Sequence, residues 1–221
     1  MRAYLFPGLA ADERLFGPQL AAFPDFSVPQ WIEPLEDETI ESYAERLAAS
    51  LHPIAPYWIG GFSFGGMVAL EMAPKLRPRP RGVLLFCGVR GRHQLTADFK
   101  LRVAVASLLP EQIQKLFYEP FAEQFARREG LNGEHTRLLV SMARNCDPKF
   151  LRWAAQAAAN WFAALDLTGI RVVHLHGEFD RVIPDVRKQA THTIRGAGHL
   201  ITLTHAEEVN AILRSLEEPP A

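Results

Sequence analysis

The glycine-rich stretch at residues 60–66 constrains the fold more than any other part of the chain. Its centre has the pattern G-x-S-x-G around Ser63, an apolar run at 57–59 leads into it, and a helix-like segment at 67–73 follows it. This pattern predicts a sharp strand-to-helix turn, in which the two backbones approach too closely for a Cβ and the serine hydroxyl projects outwards. We therefore expect a strand, a tight turn and a helix in this order.

Elsewhere in the chain, continuous apolar runs alternate with helical periodicity. Four further strands are predicted, the last of them weaker, at 3–6, 82–87, 170–175 and 190–194. A strand at 26–32 would be an edge or irregular strand, because Pro29 cannot donate to a neighbouring strand. Helices are predicted from Thr39 to just before Pro53 and at 206–216. Strands that alternate with helices indicate an α/β fold with a mainly parallel sheet covered on both faces.

The segment from about 95 to 165 has a different character. It contains no strong strand pattern, it carries several helical runs of apolar residues, and Gly130–Gly133 breaks two of these runs apart. At 221 residues the chain is long enough to bury a full core, and we expect one domain at 1–221.

Charge and composition narrow the classes of partner. The formal net charge of −1 gives no support to binding of nucleic acid or of an anionic membrane surface. No stretch approaches the roughly 20 apolar residues that a membrane span needs, and the first apolar run stops at Pro7, too soon for a secretory signal. Cys87 and Cys146 lie far apart and form no C-x-x-C pattern, so we expect neither a disulfide framework nor a metal site. The expected setting is the reducing cytoplasm.

Ser63 is a candidate nucleophile, and a serine hydroxyl needs a base to remove its proton. The order expected with G-x-S-x-G is serine, then acid, then histidine. His199 follows a glycine-rich turn after the last predicted strand, and we assign it as the base. His176 also lies at a strand end, and His205 begins the final helix, where a capping or surface role fits better.

The acid of the trio is assigned to Asp180, which follows the predicted strand at 170–175. Catalytic groups in parallel sheets gather at the carboxyl ends of strands. Asp185 is a competitor that could instead cap the next segment, and Glu178 is nearer to the strand with a side chain that can face solvent. Asp166 precedes the strand and would lie at the wrong end of the sheet.

An oxyanion formed during acyl transfer needs two waiting backbone N–H donors. One comes from the residue after the nucleophile, Phe64, and the other from the loop after an early strand, where we assign Leu9 with Ala10 as the alternative. Read alone, this early loop is also an ordinary turn. Phe62 beside the nucleophile and Trp161 in the helical segment are the candidate substrate-binding residues.

Four motifs of the chain, taken in sequence order, resemble the conserved motifs of the α/β-hydrolase superfamily. They are Pro7-Gly8-Leu9, Gly61–Gly65, His176–Asp180 and Gly196–His199. The resemblance covers almost the whole chain. It implies a sheet of about six strands, because the chain starts at what would be the family's third strand, and a helical cap over the active site at about 95–165. The chain departs from the family at Pro7-Gly8, where His-Gly is often found.

These assignments lead us to expect a serine hydrolase that cleaves carboxylic esters of small to medium-sized substrates through an acyl-enzyme intermediate. Neither a metal nor an organic cofactor is expected, and the partner would be a small-molecule ester. An acyl thioesterase or a carbon–carbon bond hydrolase would use the same three residues, so both remain open. A non-catalytic ligand-binding protein of the same fold is the alternative from another class, although such proteins usually lack one of the three residues.

Overall fold

A parallel sheet organises the molecule. The structure, a computed structural model, describes residues 1–162, 166–184 and 189–217. Within these ranges six strands form one sheet, and they are β1 (Ala3–Phe6), β2 (Phe26–Ser27), β3 (Trp58–Phe62), β4 (Gly82–Phe86), β5 (Arg171–Gly177) and β6 (His192–Ile194). Every pairing is parallel, in the order β2-β1-β3-β4-β5-β6. The predicted α/β fold with about six strands is confirmed.

Ten α-helices flank this sheet in the described part of the chain. They are α1 (Gly17–Ala22), α2 (Ile40–Ser50), α3 (Phe64–Met72), α4 (Ala97–Ser107), α5 (Glu111–Lys115), α6 (Tyr118–Arg128), α7 (Gly133–Asn145), α8 (Pro148–Asn160), α9 (Ile201–Thr204) and α10 (Ala206–Ser215). None of these helices combines the length and the apolar character that crossing a bilayer requires.

Two apolar cores lie on opposite faces of the sheet, because side chains alternate along each strand. On β5, Val173 and Leu175 face the first core, which also receives α6, α7 and α10. Val172 belongs to the second core, which is built mainly from α2, α3 and α8. The central strands are buried on both faces, as continuous apolar runs predict for a parallel sheet.

Most predicted strands have slightly different limits in the structure, and two of them differ most. The candidate at 26–32 is a strand only at Phe26–Ser27, consistent with the proline that follows. The strand predicted at 57–59 continues through Gly60 and Gly61, which pair with Leu84 and Leu85 of β4. A Cβ on Gly60 would lie 2.5 Å from the Leu84 carbonyl oxygen, so glycine is needed for this close pairing.

The segment between β4 and β5 consists of helices α4 to α8 in its described part, and residues 163–165 of the predicted 95–165 insertion lie outside the described residues. Ala126 and Leu139, from α6 and α7, join the first core, whereas Ala154 and Ala158 of α8 join the second. The inserted helices therefore pack against both cores, and the first of them follows the carboxyl end of β4.

Candidate active site

Ser63 occupies a strained turn between β3 and α3. Its φ of 50° lies in the left-handed region that non-glycine residues rarely adopt, at a cost of about 1–3 kcal/mol. The turn is held because the Ser63 N–H donates to the Phe86 carbonyl oxygen at 2.9 Å and the Ser63 carbonyl oxygen accepts from Gly66 at 3.0 Å. The predicted strand-turn-helix arrangement around this serine is present.

The glycines of this turn allow three backbones to meet. A Cβ on Gly61 would overlap the backbone of Gly65, and a Cβ on Gly65 would overlap the carbonyl groups of Phe6 and Pro7. Strand β3, helix α3 and the loop after β1 are thus in direct backbone contact beside Ser63.

His199 and Asp180 form a buried pair at the same edge of the sheet. The His199 Nδ1 donates to Asp180 Oδ2 at 2.7 Å, since an ionised carboxylate can only accept. The other carboxylate oxygen, Oδ1, accepts from the N–H groups of Val182 at 2.8 Å and Ile183 at 2.9 Å. Both side chains are almost fully buried. The structure therefore joins two of the three predicted catalytic residues by a hydrogen bond.

The surroundings of Asp180 keep its carboxyl group ionised. Burial by itself would raise the pKa of Asp180. The charge and hydrogen bond of His199, the Ile183 N–H and the charge of His176 outweigh this effect and lower the pKa from 3.8 to about 2. At neutral pH the carboxylate is thus charged and can orient the imidazole.

His176 supports the acid from the β5 side. Its Nε2 lies 2.9 Å from the Ile183 carbonyl oxygen, to which it donates, and 3.3 Å from Asp180 Oδ2. His176, one of the alternatives for the base, is therefore placed beside the carboxylate and is fully buried.

Cys87, at the carboxyl end of β4, is a neighbour that the sequence analysis did not include in the site. Its position at the end of the predicted strand 82–87 was the available signal. Cys87, Asp180 and His199 each have a potential metal-ligand atom, and these atoms lie within 4.8 Å of one another. This spacing is close enough for the three side chains to bind one metal ion. Burial, and then the charge of Asp180, raise the pKa of the Cys87 thiol well above its usual value. Without a cation beside it, the thiol therefore stays protonated next to the Asp180–His199 pair.

The two candidate oxyanion donors lie on neighbouring segments. Phe64 is the first residue of α3, so its N–H has no acceptor within its own helix. Leu9 lies in the loop after β1, whose backbone touches Gly65 through Pro7. No backbone hydrogen bond from the Leu9 N–H occurs among the described residues. The alternative, Ala10, has a φ of 53° in the same tight turn.

The two candidate substrate-binding residues are in different environments. The Phe62 ring is 4.9 Å from the His199 ring, centroid to centroid, and nearly perpendicular to it. Trp161 is buried in the second core, where its Nε1 donates to Glu71 Oε1 at 2.8 Å. Trp161 also lines a cavity of about 570 Å³ between the start of α2 and helices α4 and α8, and this cavity includes none of the predicted catalytic residues. The structure thus brings Phe62, and not Trp161, to the imidazole.

The competing candidates have other positions. Glu178 Oε2 accepts from the Gly196 N–H at 2.9 Å, and Asp166 Oδ1 accepts from the Thr168 N–H at 3.0 Å before β5 begins. His205 lies at the start of α10, 2.9 Å from the Thr204 hydroxyl. Asp185 lies outside the described residues.

Three aromatic side chains surround Phe64. Its ring packs against Trp31 at 5.8 Å, Trp153 at 6.0 Å and Phe150 at 6.3 Å between centroids. Trp31 comes from the loop after β2, and the other two come from α8. The residue that follows Ser63 therefore packs within an aromatic cluster of the second core.

Comparisons with known proteins agree with this architecture. No curated protein is significantly similar in sequence. A thermophilic esterase from Thermogutta terrifontis is 19% identical, with 98% of this chain and 89% of that chain covered and a TM-score of 0.73. An enol-lactonase from Burkholderia xenovorans LB400 is 16% identical, with 98% of this chain and 92% of that chain covered and a TM-score of 0.73. A bromoperoxidase from Bacillus anthracis is 17% identical, with 98% of this chain and 92% of that chain covered and a TM-score of 0.73.

At these identities the structural likeness shows a shared fold, and the three neighbours carry different activities in their names. The sequence itself gives the family. The model of a family described as the alpha/beta hydrolase family matches residues 2–212, nearly the whole chain. The chain therefore belongs to the α/β hydrolase family.

Proposed function

We propose that this hydrolase cleaves carboxylic esters through an acyl-enzyme intermediate. Ser63 is the nucleophile, His199 takes its proton as general base and returns it to the leaving group as general acid, and Asp180 orients the imidazole. The N–H groups of Phe64 and Leu9 receive the developing oxyanion. Water then attacks the acyl-enzyme with His199 again acting as base.

The observation that carries this proposal is the strained Ser63 turn at the sheet edge that also holds the buried His199–Asp180 pair. Phe62, the residue before the serine, contacts the imidazole ring directly. A φ of 50° at a serine has a cost that a purely structural turn could avoid with glycine. A nucleophile requires a side chain at this position, which accounts for the strain.

Small to medium-sized esters are the substrates of this proposal. Trp31 and Phe150, which are only partly buried, pack on the core residue Phe64, and an apolar surface beside the nucleophile would select by shape and hydrophobicity. Helices α4 to α8 act as a cap on a single domain in this proposal, since Phe125 of α6 packs 6.3 Å from the His199 ring. Esterases among the structural neighbours support an ester substrate.

The test is labelling and turnover with matched variants. The purified protein should react covalently with a fluorophosphonate probe at Ser63 and hydrolyse soluble p-nitrophenyl esters, with a maximum at short to medium acyl chains. Ser63→Ala should abolish both, whereas Ser50→Ala, at the end of α2, should change neither.

The thioesterase, the ligand-binding protein and a long-chain substrate each have their own outcome in this test. Faster turnover of acyl thioesters than of matched oxygen esters would favour the thioesterase. Absence of labelling in the folded protein would contradict a catalytic serine and favour the ligand-binding alternative. A steady rise into long acyl chains would contradict the proposed substrate size.

A further inference from the structure

The carboxyl end of helix α6 contacts His199 in two ways. The Phe125 ring packs edge-on against the imidazole, at 6.3 Å between centroids. One turn later, Glu129 Oε2 accepts a hydrogen bond from the His199 backbone N–H at 2.6 Å. This is a direct hydrogen bond between a side chain of α6 and the backbone of the loop that carries the base.

Glu129 is firmly placed to make this contact. It is the last residue before Gly130, whose φ of 67° ends the helix. The Gly130 N–H donates to Arg127 at 3.2 Å and the Leu131 N–H donates to Ala126 at 3.0 Å, the pair of bonds typical of a glycine-terminated helix. The helix end thus holds the Glu129 backbone in one position relative to the first core.

The loop that carries His199 is shaped to receive the carboxylate. A Cβ on Gly198 would overlap Glu129 Oε2, and a Cβ on Gly177 would overlap the Gly198 carbonyl oxygen. Gly198 therefore makes room for the Glu129 carboxylate, and Gly177 of β5 makes room for the Gly198 carbonyl group. The loop is held at both ends by carboxylates, since Glu178 accepts from the Gly196 N–H.

Asp180 and Glu129 divide the control of His199 between them. Asp180 bonds the ring at Nδ1, which fixes the rotation of the imidazole. Glu129 bonds the backbone N–H, which fixes the position of the Cα from which the ring projects. A shift of the Cα would move the ring away from Ser63 even with the Asp180 bond intact, because that bond can pivot.

We propose that Glu129 is a positioning residue for His199, through which helix α6 sets the place of the general base. The proposal rests on the function proposed above for the catalytic step. This role requires an acceptor oxygen on a side chain long enough to meet the His199 N–H, and it does not require the negative charge. Misplacement of a catalytic group by about 1 Å can cost about 100-fold in rate.

The test compares three substitutions that separate reach from charge. Glu129→Gln keeps an acceptor oxygen at the same distance and loses the charge. Glu129→Asp keeps the charge and is one methylene too short, and Glu129→Ala removes both. We expect kcat to fall about 10- to 100-fold in the Asp and Ala variants and to stay within about threefold in the Gln variant. KM should stay within about twofold throughout, because Glu129 is assigned no contact with substrate.

The matched control is Glu123→Ala, which removes an exposed carboxylate from the same helix and should leave kcat unchanged. A second readout needs no turnover, namely the downfield proton resonance of His199 Nδ1–H in the bond to Asp180. This resonance should be sharp in the wild type, Glu129→Gln and Glu123→Ala, and broadened by exchange in Glu129→Asp and Glu129→Ala.

The outcomes separate the two proposals. A wild type without esterase activity that still shows this order of resonances would overturn the proposed function and support the positioning role. Full kcat and a sharp resonance in Glu129→Ala would overturn the positioning role alone. Should Glu129→Ala fail to fold, the comparison of Glu129→Gln with Glu129→Asp decides. A higher kcat in Glu129→Asp than in Glu129→Gln would contradict the claim that the length of the side chain matters more than its charge.

Discussion

Asp180 illustrates how one buried carboxylate can serve both the loop and the imidazole. Its Oδ1 closes the turn after β5 by accepting from Val182 and Ile183, while its Oδ2 accepts from His199. Three N–H donors therefore bond a side chain with almost no exposure to water, and His176 Nε2, which donates to the Ile183 carbonyl oxygen, lies 3.3 Å from Oδ2. The charge of His199, together with these hydrogen bonds, favours the ionised form, which explains the lowered pKa despite burial.

At this residue the proposed mechanism predicts a large effect of Asp180→Asn. The amide keeps the size of the side chain, but it favours the wrong imidazole tautomer, because its NH₂ group cannot accept the Nδ1 proton. We expect kcat for soluble esters to fall about 10³-fold or more. Asp166→Asn, before β5, should leave kcat unchanged. Normal kcat in Asp180→Asn together with an inactive Asp185→Asn would transfer the role of the acid to Asp185.

At the scale of elements, the junction of β1, β3 and α3 sets the position of Ser63. Its contacts are backbone against backbone, because a Cβ on Gly65 would overlap the carbonyl groups of Phe6 and Pro7. No side-chain rotation can relieve such an overlap. The loop that carries Leu9 and the helix that begins at Phe64 would have to separate to accommodate it.

Gly65→Ala should therefore lower both stability and activity. Overpacking at such a site costs about 2 kcal/mol or more, which corresponds to about 4–8 °C in Tm for a chain of this size. The matched control is Gly17→Ala at the start of α1, where φ is −46° and a Cβ would have open space. That variant should be neutral or stabilised by about 0.4–1 kcal/mol. Calorimetry of both variants checks the difference, and equal Tm values would contradict the packing argument.

The elements also mark what sequence reasoning can and cannot reach. The strand before Ser63 and the turn at Asp180 were predictable, because apolar runs and glycine placement are local signals. The contact of Glu129 with His199 spans 70 residues, and nothing local in the sequence of α6 indicates it. Trp31 was likewise missed as a neighbour of Phe64, since β2 ends at Ser27 and the loop that follows has no regular period.

At the scale of the whole molecule, His174 is a polar exception within the apolar interior. It lies on β5, fully buried, on the sheet face opposite Val173 and Leu175. Neither ring nitrogen has a hydrogen-bond partner among the described residues. Burial, and then the charges of His176 and Arg90, lower the pKa of His174 from 6.5 to about 3, against a smaller opposing effect of Asp180. The folded protein therefore keeps this imidazole neutral.

This lowered pKa predicts a loss of stability in mild acid. Between pH 6.5 and about 3 the unfolded chain binds a proton at His174 that the folded chain does not, so the free energy of unfolding falls with pH by up to about 1.4 kcal/mol per unit. By pH 5 the loss reaches about 2 kcal/mol. Asp180 contributes in a lower window, because its stabilisation is complete above 3.8 and is lost as the pH approaches 2.

Urea unfolding of His174→Leu at pH 7, 6 and 5 separates these effects. The substitution removes the titrating group and buries an apolar side chain, so the free energy of unfolding should depend less on pH than in the wild type, by about 2 kcal/mol across this range. His52→Gln removes an exposed histidine and serves as the control. Parallel curves for the wild type and His174→Leu would assign the acid sensitivity to other groups. A flattened curve for His174→Leu alone would identify this buried imidazole as its source.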